Sequence, residues 1–215
     1  MTRCGRVWCD RFGSRLVNDS TDGESASWPA IAALADVHRV EPPHPATLPE
    51  ETLAAQCRMT QLRRSGPGGQ HRNKVSTAIQ WLHEPTGMTA EASESRDQNR
   101  NRRDALSRLR IRMAIRLRSA TVAGGQPRET DLRATELRER GKSRRLKISA
   151  TNEAFPATLA LVLDDLHRAG GQPSLVGPLW SASTTAVVSF VSVWPAALQE
   201  VNRWREHHGR GPLRR

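Results

Sequence analysis

The ten residues SGPGGQHRNK, Ser65 to Lys74, set three glycines within four positions directly ahead of an amide and a cluster of cationic side chains. Glycine loses more backbone freedom on folding than any other residue, so this density is unfavourable unless the chain needs φ > 0 there or a ligand must approach the main chain closely. A loop that touches a ligand with its own backbone meets both conditions. The flanks indicate what carries the loop. "RMTQLRRS" (58–65) and "STAIQWLHE" (76–84) alternate enough to predict a strand on each side. "EPTG" (84–87) places proline second and glycine fourth, as a type I turn favours, and "MTAEASE" (88–94) returns as the second strand of a hairpin. From Asp97 the period changes. Leu106, Leu109, Met113 and Leu117 recur at spacings of three and four, one face of a helix, while Ile111 and Ile115 lie roughly opposite and predict a second docking surface. Arg100, Arg102, Arg103, Arg108, Arg110, Arg112, Arg116 and Arg118 cover most of the remainder. The expected fold class is α+β: a small sheet bearing the glycine loop, with one long basic helix, over residues 44–119.

Charge narrows the partner. The chain of 215 residues carries 33 Lys+Arg against 22 Asp+Glu, a net +11, and among its cations only Lys74, Lys142 and Lys147 are lysine. Planar guanidinium forks suit phosphate and base stacking, so nucleic acid is the expected partner. Cys4, Cys9 and Cys57 show no metal-ligand spacing and read as reduced thiols. No metal or cofactor is expected. No apolar run approaches the length of a membrane span, and the basic start lacks the apolar core of a secretory signal. A cytoplasmic monomer is the expectation.

Elsewhere the pattern is looser. Residues 1–43 lack periodicity and read as a disordered or mis-assigned extension. "TLPEETLAAQC" predicts a short helix opened by Thr47 or Pro49 over Glu50 and Glu51. Residues 120–151 read as a basic linker and 152–208 as a helical, helix-turn-helix-like module, followed by a basic tail at 209–215. In the module, Phe155, Leu159, Val162, Leu163 and Leu166 have helical spacing with Asn152 as N-cap. Residues 173–193 admit two readings: "TTAVVSFVSV" has β-rich composition, whereas Leu175, Val176, Leu179 and Trp180, then Val187, Val188 and Val191, form two helical patches, with Pro178 against the first. The helical reading is preferred. It predicts a core that includes Leu179, Trp180, Val187, Val191, Trp194 and Leu198. Pro195 and Gly209 bracket a last helix, and Arg203, Arg205, Arg210, Arg214 and Arg215 are expected to meet phosphates.

Residues 65–110 resemble the catalytic domain of class I peptide chain release factors and of the release-factor-like proteins that rescue stalled ribosomes. The matching elements are Gly68-Gly69-Gln70 within S-G-x-G-G-Q-x-x-N-K, the "EPTG" turn, and "SRDQNRNRRDAL", where the family has an R-S-Q-x-x-N-type run opening its helix. The tripeptide recurs at Gly124-Gly125-Gln126 and Gly170-Gly171-Gln172, but neither copy has Asn and Lys after it or a strand pair following. These two read as linker and as a turn between helices.

The resemblance implies hydrolysis of the peptidyl-tRNA ester in the peptidyl transferase centre of the large ribosomal subunit. No Ser/His/Asp set or carboxylate pair flanks the loop, which fits a site working by positioning and electrostatics. In that picture Gly68 and Gly69 allow close approach, the Gln70 backbone N–H donates to the reacting oxygens and its side chain shapes the water pocket. His71 titrates in a useful range, but the family varies there. Arg63, Arg64, Arg72 and Lys74 are expected to hold RNA phosphates and Asn73 to brace the loop, with Arg100, Arg102 and Arg103 as further RNA contacts. A glutamine methyltransferase acting on Gln70 is a further implied partner. Codon-reading members place large domains before this one, and only about 55 residues precede the loop here, so codon-independent release on stalled ribosomes is the expectation. The alternative is a non-catalytic RNA- or ribosome-binding protein that keeps the scaffold.

Overall fold

The computed structural model describes residues 37–62, 77–119 and 132–214. Strands β2 (Cys57–Leu62), β3 (Ala78–His83) and β4 (Met88–Ala92) form an antiparallel sheet in that order. β3 and β4 are the expected hairpin, joined across "EPTG", where Gly87 takes φ +67° and its N–H donates to His83 O at 2.8 Å. A short parallel pair, β1 (His38–Val40) with β5 (Leu117–Ser119), lies apart from this sheet. Between β1 and β2, the short helix α1 (Glu50–Ala55) starts after Pro49 with both glutamates in its first turn, where the helix dipole favours them.

Helix α2 (Gln98–Arg116) begins one residue after Asp97, whose side chain accepts from Asn99 N–H. It packs against β3 and β4 on one side and against α4 (Phe155–Arg168) on another. This explains the unusual burial of Ile111 and Ile115 as well as Leu106, Leu109 and Met113: the helix lies between two layers rather than on a surface. Leu117, expected to continue the helical stripe, belongs to β5 instead.

The stretch expected as a linker over 120–151 is structured where it is described. Helix α3 (Leu132–Ser143) and the turn after it bury Leu137, Leu146 and Ile148, and a linker would leave such residues in water. Gly141 lets α3 approach Trp180: a Cβ built there would stand 2.7 Å from Trp180 Cε3. Beneath α3, the Asp165 carboxylate accepts both arms of the Arg138 guanidinium and the Trp180 Nε1–H, at 3.0 Å for the indole.

Residues 173–193 are helical. They comprise α5 (Pro173–Val176), a 3-10 turn (Pro178–Trp180) and α6 (Thr184–Val191), capped by the Ser183 hydroxyl. Burial of Val187, Phe190 and Val191 on one face, with the cap, outweighs the β-branched composition, while Gly177 and Pro178 divide the first helix. Leu179 faces solvent, contrary to its expected core place. Asn152 caps the turn before α4, accepting from Ala154 N–H, rather than the helix itself. Helix α7 (Pro195–His207) closes the fold with proline in its first turn and Gly209 at φ +66° beyond its end. A single buried cluster runs from Leu53 and Ile79 through α2 to Trp180 and Trp204. Among the described residues, no single helix is long and apolar enough to cross a membrane.

Candidate functional site

Leu62 and Ala78 are partners across β2 and β3, so the two ends of the segment 63–76 leave the sheet side by side. The residues expected to carry chemistry, Gly68, Gly69 and Gln70, lie in that segment with Arg63, Arg64, His71, Arg72, Asn73 and Lys74, outside the described residues, as does Gly124-Gly125-Gln126. What the structure describes is the platform from which the segment departs.

Asn101 anchors that platform. Its side chain is wholly buried; Nδ2 donates to Thr77 O at 2.7 Å and to Ser95 O at 2.8 Å, and Oδ1 accepts from Ser95 N–H at 2.9 Å. One amide thereby joins the residue after the glycine segment to the β4–α2 connection. Sequence reasoning missed it. The available signal was its spacing, since Asn101, Ala105, Leu109 and Met113 share a helical face on which a polar residue must find partners.

The first turns of α2 also present Arg100, Arg102 and Arg103, all exposed. Arg100 lies 3.8 Å from Asp104, a loose surface pair. Arg102 stacks 5.7 Å from the Trp81 ring, whose Nε1–H donates to Arg102 O at 3.1 Å. Arg103 has no partner among the described residues. Cations near the loop root thus stay available to an anion.

Farther along α2, arginines expected to face RNA are committed internally. Arg108 donates to Glu91 O and pairs with Glu94, and Arg112 donates to Thr89 O at 2.8 Å. Both carbonyls belong to edge strand β4, so the guanidinium forks cover backbone that would otherwise stay open. The Arg108 hydrogen bond holds the Glu94 carboxyl down to about 2. Arg110 is buried and donates to Ala46 O and Leu48 O. Arg118, also buried, pairs with Asp164 at 3.1 Å and stacks on Trp204. Cys57 offers no nucleophile, since burial and then Glu84 push its thiol up to about 11.

The third Gly-Gly-Gln ends α4. Gly170 and Gly171 adopt φ +57° and +71°, and Gly171 N–H donates to Leu166 O at 2.7 Å, a left-handed helix stop. Arg210 and Arg205 donate to the carbonyls of Gly170 and Gly171, and Arg203 pairs with Glu200. Arg205 and Arg210, expected to meet phosphates, instead fasten the end of the chain to this turn, and Arg203, expected to do the same, is paired within α7. Arg214 remains exposed.

Residues 50–154 match the RF-1 domain family. Among curated relatives, peptide chain release factor 1 of Acidiphilium cryptum is 40% identical over 85 residues, which cover 37% of this chain and 24% of the relative. The protein of that name from Variovorax paradoxus is 41% identical over 80 residues, 35% and 22% of the two chains, and that from Leptothrix cholodnii 42% over 69 residues, 32% and 19%. The chain therefore spans about a quarter or less of the length of these relatives. No solved structure matches it. Over the matched residues, the chain is similar to class I peptide chain release factors.

Proposed function

We propose that this release factor-like chain hydrolyses the peptidyl-tRNA ester on the ribosome without reading a codon. Water adds to the ester carbonyl, the bond to the ribose 3′ oxygen breaks, and that oxygen leaves with a proton while the peptide departs as a carboxylic acid. Gly68 and Gly69 admit the substrate close to the main chain. The Gln70 N–H donates to the reacting oxygens, and its side chain bounds the water site, a preorganised donor of the kind that stabilises developing charge. Arg63, Arg64, Arg72, Asn73 and Lys74 hold the segment against large-subunit RNA and the transfer RNA, joined by Arg100, Arg102 and Arg103 from α2. Gln70 is also the position a glutamine methyltransferase would modify, and the chain acts as a cytoplasmic monomer.

The Asn101 to Thr77 hydrogen bond carries this reading. It belongs to a buried polar set that fixes the exit of the glycine segment relative to the cationic start of α2, as catalysis by positioning requires. Among the described residues, the elements outside 50–154 join the same core as those inside it.

Release of labelled peptide from purified ribosome complexes tests the proposal. Turnover on complexes without a stop codon is the expected result. Tight ribosome binding without any release identifies a non-catalytic binding protein instead.

A further inference from the structure

The turn after α3 and the outer face of α6 enclose a groove of about 570 Å³. Arg145 and Lys147 line one wall. Ser183, Thr185 and Ser189, all exposed, line the other. Leu146, Ile148, Ala186, Phe190 and Val193 add an apolar floor between them, and no acidic residue lines any part of it. Arg145 is held at φ +47°, followed by Leu146 at +60°, so the backbone turns sharply to bury Leu146 while leaving the side chains on either side exposed.

These cations differ from most other arginines of the C-terminal half. Arg138, Arg168, Arg203, Arg205 and Arg210 are each tied to a carboxylate or a carbonyl. The side chains of Arg144, Arg145 and Lys147 have no hydrogen-bond or ion-pair partner among the described residues. Arg140, one turn before Arg144 on α3, is exposed as well. A cationic wall facing hydroxyl donors, with no competing carboxylate, is complementary to an oxygen-rich anion. A volume of about 570 Å³ exceeds what a lone phosphate needs.

We infer that this groove binds the sugar–phosphate backbone of single-stranded RNA, with Arg145 and Lys147 on phosphates and the α6 hydroxyls on phosphate or ribose oxygens. The choice of RNA over an acidic peptide rests on the proposed ribosomal function. The site is built from the turn after α3 and from α6, not from the sheet that leads into the glycine segment, and takes no part in ester hydrolysis.

Binding of a fluorescein-labelled twelve-nucleotide oligouridylate to the full chain, followed by anisotropy across a salt series, tests this. Arg145→Gln/Lys147→Gln should bind about 25-fold more weakly at 0.1 M salt, with a log–log salt slope shallower by about 1.4, from two lost phosphate contacts. Arg39→Gln/Arg214→Gln removes the same charge elsewhere and should change binding several-fold less. Ser189→Glu, an exposed substitution that spares both cations, should weaken binding comparably and guards against a folding defect in the double variant. Equal loss in both double variants, or an unchanged slope in the groove variant, overturns the inference. So does displacement by a poly-glutamate peptide at concentrations where competitor RNA fails. A wild-type chain that binds the oligonucleotide through the groove yet releases no peptide supports the groove and contradicts the catalytic reading alone.

Discussion

The Asn101 side chain donates to the carbonyl of Thr77, 24 residues earlier, across 2.7 Å. It thereby ties the exit of the glycine segment to the first turn of the long helix. Among the described residues the β2–β3 pairing runs as far as Leu62 and Ala78, so the amide acts one residue beyond the last described pair.

Asn101→Ala should therefore leave two carbonyls and one N–H without this partner in a buried setting, costing about 2–3 kcal/mol of stability. Urea denaturation measures the loss. Among molecules that remain folded, peptide release should fall further than ribosome affinity, because the defect lies in how the segment is held. Equal losses in both would make Asn101 a purely structural residue.

Two glycine substitutions separate the copies of Gly-Gly-Gln. Gly69→Ala should abolish release while leaving ribosome binding nearly intact. Gly171→Ala places a Cβ 2.5 Å from Arg205 Cγ on a backbone at φ +71° and should destabilise by about 1 kcal/mol or more. Its release per folded molecule should be unchanged. Loss of release from the Gly171 variant at full folding would mean that the wrong tripeptide has been assigned.

Packing of α3 offers a third test. Gly141→Ala gains helix propensity of about 1 kcal/mol, but its Cβ would collide with the face of the buried Trp180 ring. Overpacking of this kind costs about 1–3 kcal/mol, so a net loss is expected with a change in tryptophan fluorescence. Asp165→Asn should cost more, about 3 kcal/mol, because Arg138 and Arg168 lose the carboxylate they share. Thermal melts rank the two.

Acid should weaken the fold through its histidines. Burial, then the Arg118 charge, brings His167 down to about 4, and burial lowers His44 and His83. All three lie below the unfolded value, so the unfolded chain binds more protons as pH falls. Stability is complete above the unfolded pKa near 6.5 and declines toward pH 4, by about 2 kcal/mol for His167 alone. Urea midpoints at pH 7 and pH 4.5 should differ in that direction, and His167→Gln should flatten the slope. A midpoint that rises on acidification contradicts this assignment.

The sheet, its turn and the long helix were readable from the residues because alternation, "EPTG" and the shift in period at Asp97 each have a local cause. Ile111 and Ile115 also signalled a second packing surface, which α4 supplies. The roles of the arginines were not readable. A guanidinium that covers an edge strand, as Arg108 and Arg112 do, and one free to meet phosphate look identical in composition. Nearby carbonyls decide between them, and those come from residues distant in the chain. The helix at 132–143 was hidden for a related reason: Leu137 and Leu146 stand alone among charges, and their burial depends on Trp180 and α4. Asn101 stood within the motif that carried the resemblance, yet its task appears only when Thr77 is beside it.

The central claim rests on ester hydrolysis without a codon signal. Ribosome complexes carrying labelled peptidyl-tRNA, one set with messenger ending in the decoding site and the other with a stop codon there, can be mixed with the full chain and with its Gln70→Ala variant. The account predicts that the wild-type chain frees peptide from the truncated complex at least as fast as from the stop-codon complex, and that the variant frees it far more slowly from both. Release confined to the stop-codon complex, or release undiminished in the Gln70 variant, would contradict it.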